Sequence, residues 1–127
     1  MTERLRYLSD RWLDEADRRL ASLTPLPASV SVGMAVLGGP DGDRLYRLVL
    51  GPDRVGVALG LADSGVHMTL AWEVAVDIAQ GRASAQRAFL DGRMQLGGDT
   101  SLLLGYQQQL ADIEDRLDRL RADTDFG

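Results

Sequence analysis

Residues 81–99 read GRASAQRAFLDGRMQLGGD, from Gly81 to Asp99. The period of this stretch changes twice. Ser84 to Leu90 is helix-like and ends at Asp91-Gly92, and Arg93 to Leu96 alternates as a short strand with Met94 and Leu96 on one face. Gly81 is a natural residue to follow the end of the preceding helix, and Gly97-Gly98 breaks the strand. Little in the stretch is reactive, and its apolar residues, Phe89, Leu90, Met94 and Leu96, are spaced to line something.

Downstream, Asp99 or Thr100 can cap a long helix predicted from Thr100 to Arg121. Leu103, Tyr106, Leu110, Ile113, Leu117 and Leu120 recur at alternating steps of three and four, a heptad seam that Leu102 widens. Such a seam fits a helix laid across a sheet, and it also fits a homodimer through Leu110, Ile113, Leu117 and Leu120. Residues 122–127 read as a frayed tail.

Upstream, strand-like segments run Ser29–Val36, Leu45–Leu50, Arg54–Leu59 and Val66–Ala71. Each carries bulky apolar side chains on one face, and small or polar residues mostly fill the other. Gly38–Asp43 (GGPDGD), Gly51-Pro52-Asp53 and Ala62–Gly65 are the turns between them, which predicts an antiparallel meander. A short helix with Val76 and Ile78-Ala79 follows Trp72. Residues 1–24 form an amphipathic helix on the spacing of Leu5, Leu8, Trp12, Ala16, Leu20 and Leu23, with Thr2 or Thr24 at its ends. Pro25 and Pro27 stop it. The expected fold is α+β in a single domain over 1–127: a five-stranded, mainly antiparallel sheet with one greasy face covered by helices.

Composition excludes several functions. The 127 residues contain no Cys, so disulfides, thiolate metal sites and cysteine nucleophiles are absent. The net charge of −5 argues against nucleic acid and against an anionic membrane as a tight partner. All 14 basic residues are Arg, which rules out lysine Schiff bases and reads as the signature of a GC-rich bacterial genome. No apolar run approaches the ~20 residues of a membrane span, and the opening MTERLRYLSDRW has no apolar core of a signal peptide. A soluble, cytoplasmic protein is expected.

Catalytic candidates are few. His67 is the single histidine and falls on the polar side of its strand. Glu73 and Asp77 lie four apart on one helix but lack a third ligand for a metal. Ser64, Ser84 and Ser101 have no neighbouring base and no nucleophile elbow. The expectation is therefore no enzyme, no metal and no cofactor. Apolar surface is what the chain has in abundance, and periodicity alone does not distinguish a solid core from a hollow one.

At this point the stretch 81–99 carries more information than its period. It resembles the signature of the sterol carrier protein 2 (SCP2) family, G-[KR]-x-x-x-Q-x-A-F-x-x-G-x-[LM]-x-[IL]-x-G-[ND]. Gly81, Arg82, Gln86, Ala88, Phe89, Gly92, Met94, Leu96, Gly98 and Asp99 fall in step with it. The order helix, four strands, short helices, strand, long helix is also similar, so the resemblance spans almost the whole chain. It implies a hydrophobic tunnel between sheet and helices, holding a sterol, fatty acid, acyl-CoA or phospholipid. The residues it points to as tunnel lining are Met68, Leu70, Trp72, Ile78, Phe89, Met94, Leu96, Leu103 and Tyr106, with Tyr106 or Gln107 as candidates to meet a polar head. Departures are Ala71-Trp72, where the family often places a Ser or Asp cap, and Ala75, where it often has a bulky aromatic. The implied function is lipid binding or carriage. The alternative is a structural module that pairs with itself or with a partner enzyme.

Overall fold

The alternation that begins at Val30 becomes the central strand of a five-stranded sheet. The computed structural model describes residues 4–23, 29–61 and 65–126, with the Leu103 side chain outside that set. The expected helix ends at Thr2 and Thr24, the breakers Pro25 and Pro27, and the turn residues Ala62, Asp63 and Ser64 lie outside the described residues. The main elements are β1 (Leu5–Arg6), α1 (Asp10–Leu20), β2 (Val30–Gly39), β3 (Gly42–Leu50), β4 (Val55–Leu59), β5 (Val66–Ala71), α2 (Trp72–Ala79), α3 (Ala85–Leu90), β6 (Met94–Gly98), α4 (Ser101–Gly105), α5 (Gln107–Asp118) and β7 (Thr124–Asp125).

The sheet order is β4-β3-β2-β5-β6. Three of its four pairings are antiparallel, and β2 pairs with β5 in parallel, with Met34 opposite Met68. The expected meander is corrected here: β5 returns beside β2 instead of extending from β4. The outer edge of β4 is taken by α1. Asp17 Oδ1 accepts a hydrogen bond from Val57 N at 2.7 Å and is paired with Arg54 at 2.9 Å. A helix side chain thus satisfies the edge N–H that a strand would otherwise satisfy. The chain crosses to the other side of β2, which becomes central and carries the buried Val30, Val32 and Val36. On the opposite face Leu45, His67 and Gln95 are exposed.

The N-terminal helix is shorter than its apolar spacing predicts. It starts at Asp10 because Ser9 caps it, its Oγ accepting from Trp12 N at 3.2 Å. Leu5–Arg6 forms a strand instead, paired in parallel with Thr124–Asp125. The expected frayed tail is therefore a structural closure. Thr124 is buried, its Oγ1 donating to Leu120 O at 2.7 Å and accepting from Trp12 Nε1 at 3.0 Å. Long-range pairing overrides local helix propensity at Leu5 and Leu8.

The single long helix is also corrected. It breaks at Tyr106 (φ −122°, ψ 28°), just after Gly105, and Arg121–Asp123 forms a 3-10 turn. The seam lies inward. Ile113 and Leu120 are 2% and 0% exposed within the domain's own core, and Leu117 packs against that core. Those side chains are committed to the core of the fold, and Leu110 is half-buried.

The stretch 81–99 folds as its turn residues dictate. Gly81 (φ +79°) ends α2 with two backbone bonds, Gly81 N to Ile78 O and Arg82 N to Asp77 O, which satisfy orphan carbonyls of the last turn. Ser84 caps α3 by accepting from Arg87 N at 3.0 Å. Gly98 is more constrained: it has φ +79°, and a Cβ there would sit 2.5 Å from Gly65 O. Gly98→Ala is expected to lose about 2 kcal/mol or more from left-handed strain and the backbone clash. A thermal melt should show a Tm lower by about 6 °C or more.

Candidate functional site

The covered face of the sheet and the helices over it do not close completely. Between them lies a cavity of about 350 Å3. Its floor is Val32 and Met34 of β2, Tyr46 and Leu48 of β3 and Met68 of β5. These residues share one face because they occupy alternate positions and register positions that face each other, Val32 with Leu48 and Met34 with both Tyr46 and Met68. The roof is Ile78 and Ala79 at the end of α2, Ala85 at the start of α3, and Leu110, Ile113 and Leu117 on successive turns of α5. Small side chains at 79 and 85 leave the space that larger ones would fill.

One wall is aromatic. Tyr7 stacks edge-on to Trp12 with ring centres 5.1 Å apart and lies 5.1 Å from Phe126. The β1–β7 pairing brings these rings together, since Tyr7 N donates to Asp125 O at 2.9 Å. Glu114, Asp118 and Arg121 form a charged rim. Arg121 is held by Ala79 O at 2.8 Å and Asp118 Oδ1 at 3.1 Å. Two carboxylates against one guanidinium leave the rim net negative.

Burial raises the pKa of Tyr7 well above the ordinary phenol value, and the neighbouring Tyr46 adds to the rise. Burial alone raises that of Tyr46. Both phenols therefore stay neutral. Glu114 is raised first by burial and then by the nearby charge of Asp118. Among the described residues no group of three His, Cys, Asp or Glu is placed to hold a metal ion, and no helix is long and apolar enough to cross a membrane. His67 is exposed on the far face of the sheet.

Of the nine residues expected to line a tunnel, Met68 and Ile78 line this cavity. Leu70 and Met94 are 4% and 6% exposed in the solid part of the core. Trp72 lies 5.3 Å from Tyr7 and lines a separate cleft of about 280 Å3 with Pro40 and Arg44. Leu96 and Tyr106 pack at the margin of the core. Phe89 is 42% exposed: α3 buries Ala88 and presents Phe89 and Leu90 to solvent. The Leu103 side chain lies outside the described residues. Gln107 is exposed. Sequence reasoning did not place the β2 and β3 floor, although its alternation was legible. It also missed the terminal aromatics, which had no local signal.

No protein-family model matches the sequence, and no curated protein matches it. The architecture does match solved structures. A crystal structure of sterol carrier protein 2 superimposes with a TM-score of 0.69, covering 88% of this chain and 97% of that one at 16% identity. The chain has the sterol carrier protein 2 fold. A Thermus thermophilus protein described as possibly a sterol carrier protein shares that SCP2 fold with a TM-score of 0.67, over 94% of this chain and 95% of that one at 14% identity. Palmitated SCP2L2 of Aedes aegypti matches with a TM-score of 0.60, over 81% of this chain and 90% of that one at 17% identity. The likeness to SCP2 structures spans the mixed sheet and the helices over it.

Proposed function

We propose that this chain binds a hydrophobic small molecule of lipid type in the cavity between the sheet and the helices. The observation that carries the reading is the cavity itself, about 350 Å3 with a mainly apolar floor and roof. Small-molecule pockets span roughly 300–1,000 Å3, so this one suits a single acyl chain or a compact ring system better than a two-chain phospholipid. Filling it with apolar groups removes its Val, Met, Leu and Ile side chains from water, which is favourable. Apolar contents therefore stabilise the fold. Each buried methylene contributes about 0.8 kcal/mol to affinity. The carriers that share the fold, one of them palmitated, support a lipid as occupant. Met68 and Ile78 are the contacts shared with the expected lining. The proposed role is binding without catalysis, since the residues around the cavity supply no nucleophile with a base beside it.

Titration with N-phenyl-1-naphthylamine, an uncharged fluorophore, tests the reading. Saturable binding at about one probe per chain is expected, together with a co-purifying ligand mass in native mass spectrometry. Absence of both would sink it. A ligand present at 100 times its Kd adds about 2.7 kcal/mol. For a domain of this size that raises Tm by roughly 10 °C, measurable in a melt with and without ligand.

A further inference from the structure

One polar group inside the cavity is unused by the fold. Tyr46 is 8% exposed and lies on the floor among Met34, Leu48 and Met68. Its hydroxyl makes none of the hydrogen bonds found among the described residues, in contrast to Trp12, whose ring N–H is held by Thr124. It is not among the fully enclosed polar atoms that lack a partner, which among the described residues are Arg44 Nε and Gln80 Oε1, so it opens onto the cavity. Tyr46 therefore has a bond to offer to whatever occupies the cavity.

The surroundings restrict what that occupant carries. No cationic side chain lines the floor, the roof or the aromatic wall. Arg121 stands at the rim and is already engaged by Ala79 O and Asp118. Glu114 and Asp118 give the rim its negative sign. A carboxylate or phosphate brought onto the floor would be desolvated without a counter-charge, which is costly. Burial keeps the Tyr46 phenol protonated, so it remains a donor as well as an acceptor.

We infer that the cavity selects ligands bearing an uncharged oxygen, a hydroxyl or a carbonyl, which exchanges a hydrogen bond with Tyr46 Oη. The inference rests on the lipid-binding reading and narrows it to neutral amphipaths. The test displaces N-phenyl-1-naphthylamine with decane, 1-decanol and decanoate, from the unmodified protein and from Tyr46→Phe. Phe keeps the ring and its packing, so the variant is expected to melt no lower than the parent. The expected result is a loss of about 3- to 10-fold in 1-decanol affinity on substitution, with decane and the fluorophore unchanged. Equal changes for alcohol and alkane, or none for either, overturn the role of Tyr46. Tighter binding of decanoate than of 1-decanol overturns the preference for an uncharged head. Failure of decane and the fluorophore to bind the unmodified protein overturns the cavity reading itself, and this inference with it.

Discussion

Ala85→Trp is expected to weaken ligand binding by roughly 100-fold while leaving the fold intact. Ala85 is the first residue of α3, half-buried, and its side chain faces the cavity beside Ile78 and Ala79. An indole there occupies space that an acyl chain would otherwise fill. Losing the burial of three or four methylenes at about 0.8 kcal/mol each weakens binding by roughly 100-fold. The stability cost is small, because the new side chain enters open volume and not a packed core. A melt should place the variant within about 4 °C of the parent, and fluorophore titration should show the loss. Should Ala85→Trp fail to fold, Ala79→Trp blocks the same roof from the end of α2. A folded variant with undiminished affinity would mean that the ligand binds elsewhere.

The second large effect concerns the C-terminus. Deleting residues 120–127 is expected to leave no cooperative melt at 25 °C. Leu120 is fully buried in the core, and truncating such a side chain alone costs about 2–5 kcal/mol. The deletion also removes Thr124, orphaning the Trp12 ring N–H at about 1–3 kcal/mol. It strips Phe126 from Tyr7 and removes the partner of β1. Together these losses approach the roughly 5–15 kcal/mol that holds a domain folded. Leu120→Ala alone calibrates the core term, with an expected loss of about 3 kcal/mol by chemical denaturation. A truncated chain that still melted near the parent would restore the picture of a loose tail.

The two predictions lie on different levels of legibility. Residues 81–99 were readable because turns and caps are local. Gly81 adopts a positive φ, Ser84 accepts from Arg87 N, and Met94 alternates with Leu96, all within a few residues of chain. The C-terminal closure was not readable. Nothing near Thr124 signals that it will bond a tryptophan 112 positions away. The helix signal in Leu5 and Leu8 was genuine as a pattern, but parallel pairing with Thr124–Asp125 overrode it.

The candidate site divides in the same way. Alternation in β2, β3 and β5 places Val32, Met34, Leu48 and Met68 on one greasy face, and that much follows from a period of two. Their meeting as one floor depends on β2 being central, with β3 on one side and β5 on the other. In that order the outer edge of β4 is left to α1, which meets it through Asp17. The heptad seam shows the same limit, because a stripe of Leu and Ile states that something is buried without stating against what.

From the sequence alone came the types of the central elements, the apolar face, the absence of Cys and Lys and the turn chemistry of Gly81 to Asp99, each read from the chain itself. The tertiary structure alone decided the parallel pairing, the inward seam and the aromatic wall. It also decided that space remains above Tyr46, because packing of distant segments sets whether a greasy face closes or stays hollow.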